Sequence, residues 1–180
     1  MARATRNPEA RRQAIVDAAA ELLLEIGLHE VTHRKVAERA QVPLGSTTQY
    51  FANRDELLMA AMTQLGQASD AALDELEHQI TCAADIPHAL AEFFGIYLAD
   101  RERARAEAVF YVANIEHPHM RSISNAGYAR MEQILNRYIS PTATQTVMVY
   151  TDGLILTGCM RNTPLDQEFI TTTLQKLLEV

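Results

Sequence analysis

The sequence predicts an all-α protein of about nine helices, a small N-terminal unit followed by a larger helical bundle. Three observations carry this. Glycine and proline are few, 7 and 6 in 180 residues, so long segments lack the residues that break helices. Apolar side chains recur at three- and four-residue spacing instead of alternating, the period of a helix with one buried face. The prolines Pro87, Pro118, Pro141 and Pro164 fall between these periodic segments and separate them. A hydrophobic content of 48% in 180 residues suffices for one or two buried cores.

Taken in order, residues 1–8 form a basic arm with Arg3 and Arg6, a composition suited to a minor groove or a phosphate. The first helix is expected over Pro8–Ile26, with Pro8 tolerated in the first turn, Ile15, Ala18, Ala19, Leu22, Leu23 and Ile26 as its apolar stripe, and Gly27 as its stop. Leu28 and Val31 read as core plugs. Thr32 is a good N-cap for a short second helix whose apolar face is Val36, Ala37 and Ala40, and Gln41, Val42 and Pro43 break the pattern. A third short helix over 44–51 carries Ser46, Thr47, Thr48 and Gln49 where apolar residues would otherwise stand.

Asn53 with Glu56 resembles a capping box that starts a long helix at Arg54. That helix is expected to reach about residue 79, with Leu57, Leu58, Ala61, Met62, Leu65, Ala72, Leu73 and Leu76 on its buried face. Five more helices follow, at 87–100, 103–116, 120–139, 142–161 and 165–179. No strand and no internal repeat is evident. The domain division is placed at 1–53 and 54–180.

Two short helices joined by a tight turn, the second polar on its outer face, describe a helix-turn-helix. Hydroxyl and amide side chains suit base edges and phosphate oxygens. The charge distribution agrees: residues 1–54 hold eight basic and six acidic side chains, +2, while the remainder is −9 within a formal net charge of −7. Only local potential is felt beyond about 8 to 10 Å at physiological salt, so a basic end on an acidic body orients toward phosphate. Cys82 and Cys159 are too few for a disulfide scaffold and form no CxxC, which fits a reducing, cytoplasmic setting. No apolar run approaches the roughly 18 residues of a membrane span, and the N-terminus lacks a signal-peptide core.

The ensemble Gly27, Thr32, Val42, Gly45, Tyr50, Phe51 and Arg54, in that order and spacing, resembles the N-terminal domain of the tetracycline-repressor (TetR) family over about the first sixty residues. Thr48 departs from it, since the family often has an aromatic residue there. The resemblance implies a three-helix DNA-binding domain, a long fourth helix linking ligand to DNA, and a C-terminal ligand-binding and dimerisation bundle. By position, Leu44, Gly45, Ser46, Thr48 and Gln49 are expected to face the major groove and Arg34 to reach a base edge. Thr32, Tyr50 and Arg54 are expected to hold phosphates, and Thr47 to turn inward.

The aromatic residues Phe93, Phe94, Tyr97, Phe110, Tyr111, Tyr128 and Tyr150 concentrate in the C-terminal part, as do Met131 and Met148, where core and ligand box share one periodicity. The family resemblance moves this group toward a pocket, with Phe93, Tyr97, Phe110, Asn114, Met131 and Tyr150 as its lining. Asn114 and Asp152 fall within apolar runs and need partners if buried. The acidic body and the rings favour a flat or apolar effector; a cation suits both, and a neutral lipid-like or aromatic molecule fits almost as well. For a homodimer, Gly153 and Gly158 would allow close helix approach, and Phe169, Ile170, Thr173, Leu174 and Leu177 form a stripe. His117, Pro118 and His119 beside Glu116 make only half a metal site, and no metal or cofactor is expected. The alternative class is a helical enzyme, or a ligand-binding protein without DNA binding. Against an enzyme, the chain has no nucleophile elbow, phosphate loop or HExxH. The expected partners are therefore a double-stranded operator, a small-molecule effector and a second copy of the chain, with no membrane.

Overall fold

The computed structural model describes residues 7–161 and 166–178, which contain nine α-helices and no strand. The arm with Arg3 and Arg6, Pro164 and the expected outer ends of the last helix at Leu165 and Glu179 lie outside the described residues. The chain divides into two compact units, 1–67 and 68–180.

In the first unit, α1 (Pro8–Ile26) starts where Asn7 accepts hydrogen bonds from the Glu9 and Ala10 amides at 3.1 and 3.4 Å. Ile15, Ala19 and Leu23 are fully buried, and Gly27 ends the helix at φ +79°, a conformation that favours glycine. Ile26, expected in the stripe, is exposed at the helix's last position. A 3₁₀ turn (Leu28–Glu30) leads to α2 (His33–Arg39), whose N-cap Thr32 accepts from the Lys35 amide at 3.3 Å. Val36 and Ala37 are buried, whereas Ala40 is the half-buried C-cap. Gln41 then takes φ +55°, and the Val42 amide returns to the Ala37 carbonyl at 3.0 Å, closing the turn before α3 (Leu44–Tyr50).

Helix α4 (Arg54–Cys82) begins with a cap close to the expected box, its return bond coming from the residue before Asn53. The Glu56 amide donates to Asn53 Oδ1 at 2.9 Å, and the Glu56 carboxylate accepts from the Ala52 amide at 2.8 Å. It runs past residue 79 because Ile80, buried one turn after Leu76, extends the stripe beyond where Thr81 and Cys82 weaken helix propensity.

In the second unit, aspartate caps set the starts of three helices. Asp85 caps α5 (Ile86–Ala99), Asp100 caps α6 (Arg101–Glu116), and the Asp166 carboxylate accepts from the Phe169 amide at 2.9 Å as α9 (Gln167–Leu178) begins. The cap at Asp100 explains why α6 starts two residues before its expected position. After a 3₁₀ turn (Pro118–Met120), α7 (Arg121–Leu135) is shorter than expected. The Arg137 amide bonds to Ile134 O and the Tyr138 amide to Leu135 O, the i to i−3 pattern that tightens a helix end before α8 (Pro141–Arg161).

The core of this unit joins Leu76, Ile80, Leu90, Phe94, Leu135, Val147, Ile155, Ile170 and Leu174. Helices α5 and α9 approach closely at Gly95, where a Cβ would lie 2.5 Å from Thr171 Oγ1 and 3.3 Å from the Gln167 carbonyl. The Thr171 hydroxyl donates to the Ala91 carbonyl at 3.3 Å across the same contact. Gly95→Ala is therefore expected to lower stability by about 1 to 3 kcal/mol through overpacking. Urea unfolding should show a lower midpoint at unchanged m-value, and an unchanged midpoint would mean that the contact relaxes freely.

Candidate functional site

Helix α3 is two turns long, and its faces divide by residue. Thr47 is fully buried with its hydroxyl on the Leu44 carbonyl at 2.8 Å. Leu44, Gly45, Thr48 and Gln49 are exposed, and the Thr48 hydroxyl donates back to the Gly45 carbonyl at 3.3 Å. Ser46, expected on the outer face, is only 8% exposed. It adjoins Thr47, about 100° away around the helix, and is small enough to turn inward with it. A Cβ on Gly45 would meet nothing within 4 Å, so packing inside the chain does not require a glycine there. Thr32 and Arg34 are exposed at the start of α2, and Tyr50 is half-buried at the end of α3.

Lys35, Arg39, Arg12 and Arg54 are each engaged within this unit. Lys35 pairs with Glu30 at 2.8 Å. Arg39, the last residue of α2, bonds both Glu25 oxygens at 2.8 and 2.5 Å and Glu21 at 3.0 Å, tying α2 to α1. The Arg39 hydrogen bond holds the Glu25 carboxyl below the usual carboxylate range. Arg12 lies over the Phe51 ring at 5.3 Å. Arg54, expected on a phosphate, is half-buried and turned toward the chain: its Nε donates to the Val31 carbonyl at 2.8 Å and an Nη to the Leu28 carbonyl. Both acceptors are backbone atoms left over where the 3₁₀ turn ends, which no side-chain pattern announces.

In the second unit, rings and carboxylates interleave. Phe93 and Tyr97 stack at 5.7 Å, Phe94 meets Phe93 edge-on at 5.4 Å, and Arg103 covers the Tyr97 ring at 5.3 Å. Glu107 accepts from the Tyr97 hydroxyl at 2.7 Å and from Ser69 at 3.0 Å. One turn further along α6, the Tyr111 hydroxyl donates to Asp152 Oδ1 at 2.5 Å, and Tyr128 from α7 donates to the other oxygen. Burial pushes the Asp152 carboxyl above the usual range, partly offset by the Tyr111 hydrogen bond. Tyr97 and Tyr111 are pushed up too, first by burial and then by the carboxylates they contact.

Of the residues expected to line a pocket, Phe93, Tyr97, Met131 and Tyr150 belong to one hydrophobic cluster, and the Tyr150 hydroxyl is buried without a hydrogen-bond partner. Phe110 is buried and Asn114 half-buried on α6, outside that cluster. The Asn114 side chain is occupied by the Ser124 hydroxyl at 3.0 Å. Glu107, Tyr111 and Tyr128 were not among the expected lining. The i, i+4 spacing of Glu107 and Tyr111 on α6 was the available signal.

The expected dimer stripe divides. Ile170 and Leu174 are fully buried in their own unit's core, so they cannot also face a second copy. Gly158 is buried, and Thr173 and Leu177 are half-buried. Facing outward are Val149 (60% exposed), Gly153, Leu156 and Met160 (79%) on α8, at spacings of four, three and four that place them on one side, together with Phe169 (58%) on α9. A Cβ on Gly153 would meet nothing within 4 Å. Among the described residues no helix is long and apolar enough to cross a membrane.

Residues 15–61 match the family described as bacterial regulatory proteins, tetR family. A TetR-family member from Streptomyces coelicolor A3 is 31% identical, with 94% of this chain and 99% of that one covered and a TM-score of 0.80. The multidrug binding protein EbrR, complexed with ethidium, is 31% identical over 94% of this chain and 99% of its own, with a TM-score of 0.76. The HTH-type transcriptional regulator BetI of Escherichia coli O157:H7 is 24% identical over 168 residues, 87% of this chain and 86% of that protein. The chain belongs to the tetR family of bacterial regulatory proteins, and it is a DNA-binding transcriptional regulator and not an enzyme.

Proposed function

We propose that this regulator is a cytoplasmic homodimeric repressor which a small aromatic cation releases from a palindromic operator. The observation that carries the DNA reading is the outer edge of α3, where Leu44, Gly45, Thr48 and Gln49 stand exposed, as Arg34 does on α2. These residues face the major groove in this reading, with Thr32 and Tyr50 on phosphates and Ser46 left out. Since packing does not require Gly45, close approach of the backbone to DNA accounts for it.

One helix-turn-helix reads few base pairs, so two copies on half-sites about 34 Å apart are the usual solution. The exposed apolar side of α8 with Phe169 supplies a surface for the second copy. The effector class is supported by EbrR, a multidrug binding protein seen in complex with the aromatic cations ethidium, malachite green and proflavin as well as with imidazole. In this chain, Phe93, Tyr97, Met131 and Tyr150 supply rings and a soft thioether, Glu107 and Asp152 supply negative charge, and Phe110 and Asn114 extend the lining along α6. Release requires that the ligand prefer a conformation whose recognition helices no longer match successive grooves, because equal affinity for both states shifts nothing. The coupling we infer runs along α4, which begins in the reader and carries Ser69 against Glu107.

Gln49→Ala should reduce discrimination between a selected duplex and a scrambled one by about tenfold, with non-specific affinity unchanged. Competition anisotropy measures this, and equal loss on both duplexes would remove Gln49 from the base-reading set. In sedimentation, the wild-type protein should be a dimer at micromolar concentration and Leu156→Glu a folded monomer. A wild-type monomer would overturn the dimer.

Ethidium fluorescence should report binding that weakens as pH falls through the raised range of Asp152. The cation favours the ionised carboxyl, and acid protonates it. Asp152→Asn should lower affinity about tenfold and flatten the profile, while neutral Nile red is unaffected. If Nile red binds but ethidium does not, the cationic class is wrong. If neither binds, the pocket is not where we place it.

A further inference from the structure

Helix α2 is seven residues long, too short to persist through its own hydrogen bonds, and an arginine holds it at each end. At its C-terminal end Arg39 grips Glu21 and Glu25 of α1. At the other end lies the connector from Gly27 to Thr32, in which Leu28 and Val31 are buried. Buried carbonyls need donors, and those of Leu28 and Val31 receive theirs from two nitrogens of one guanidinium, that of Arg54 at the first position of α4. The Val31 carbonyl belongs to the same planar peptide as the Thr32 nitrogen, so fixing one fixes the other. Thr32 in turn caps α2 through the Lys35 amide.

We propose that Arg54 is a positioning residue for DNA recognition: it sets the pose of α2, and through α2 that of α3, and makes no phosphate contact. The path to α3 is the closed turn in which the Val42 amide bonds to the Ala37 carbonyl and the Ser46 amide to the Pro43 carbonyl. The requirement is for a planar fork and not for a positive charge. A lysine ammonium is a compact point charge that cannot span two carbonyls in this geometry, whereas at a phosphate it serves nearly as well as arginine. Lysine and arginine at this position therefore make opposite predictions for the two roles.

The experiment compares wild type, Arg54→Lys, Arg54→Ala and Arg34→Ala on a duplex that the wild-type protein recovers from a randomised pool. Anisotropy is followed from about 50 to 200 mM salt at a temperature where circular dichroism shows each protein folded. Arg54→Lys is expected to bind about tenfold or more weakly, with the wild-type slope of log K against log salt, because no phosphate contact is lost. Arg34→Ala is the charge-loss comparison, and its slope should be shallower by up to about 0.9. Hydrogen exchange of the Arg34 and Lys35 amides in the free protein should be faster in Arg54→Lys than in wild type.

Wild-type affinity in Arg54→Lys together with a shallower slope in Arg54→Ala would assign Arg54 to phosphate and overturn the proposal. Lower melting temperature with wild-type affinity in the folded variants would reduce Arg54 to a stabilising residue and overturn it equally. If Arg54→Ala does not fold, Arg54→Lys alone decides through affinity, slope and exchange. A wild-type protein that recovers no duplex would sink the DNA-binding reading itself, and this is seen before any variant is compared.

Discussion

A reading head made of two seven-residue helices exists only because something else holds it, and here the holding surface is the buried stripe of α1. Helices of that length do not form alone in water, since nucleation fixes several residues for each hydrogen bond gained. Ile15, Ala19 and Leu23 on α1, Val36 and Ala37 on α2, Thr47 on α3 and Phe51 just beyond it make the reader's core. Everything that reaches DNA from this unit inherits its position from that packing and from the arginines that lock α2 at its ends. The exposed chemistry of α3 is free to vary because the inward residues carry the structure.

Interior packing in the second unit leaves polar groups that other residues must satisfy. Glu107 and Asp152 are each bonded by tyrosine hydroxyls, which supply donors without adding charge. Burial opposes ionisation of Asp152, so the node is a carboxyl whose charge is readily altered by a neighbouring cation or by pH. The Phe93 and Tyr97 rings stack, and Arg103 covers the face of the latter, so the polar and aromatic groups of this region are held against one another.

Expectation and structure part where the surroundings of a residue, and not its type, decide its place. Ile170 and Leu174 form an apolar stripe on α9, and periodicity identifies such a stripe without saying what covers it. Gly95 lets α5 come close enough to take that stripe into the unit's own core, leaving Val149, Leu156 and Met160 of α8 outward. Ser46 is polar yet buried beside Thr47, its side chain being small enough to turn inward with that residue. Arg54 reads as a phosphate ligand by charge and position, and the fold adds two buried carbonyls within reach of its guanidinium.

What the sequence by itself determined was local: the caps at Thr32 and Asn53, the break at Gln41 to Pro43, the stop at Gly27 and the stripes of α1 and α4, each read within one or two turns of chain. Those signals were enough for an all-α chain with a helix-turn-helix. Tertiary structure alone decided which stripe faces inward, which acceptors Arg54 finds 23 and 26 residues away, and which tyrosines meet Asp152 from 24 and 41 residues away. Hydrogen bonds to distant backbone carbonyls and contacts between separate helices depend on how elements pack, and the packing of one helix against another leaves no period in the sequence of either.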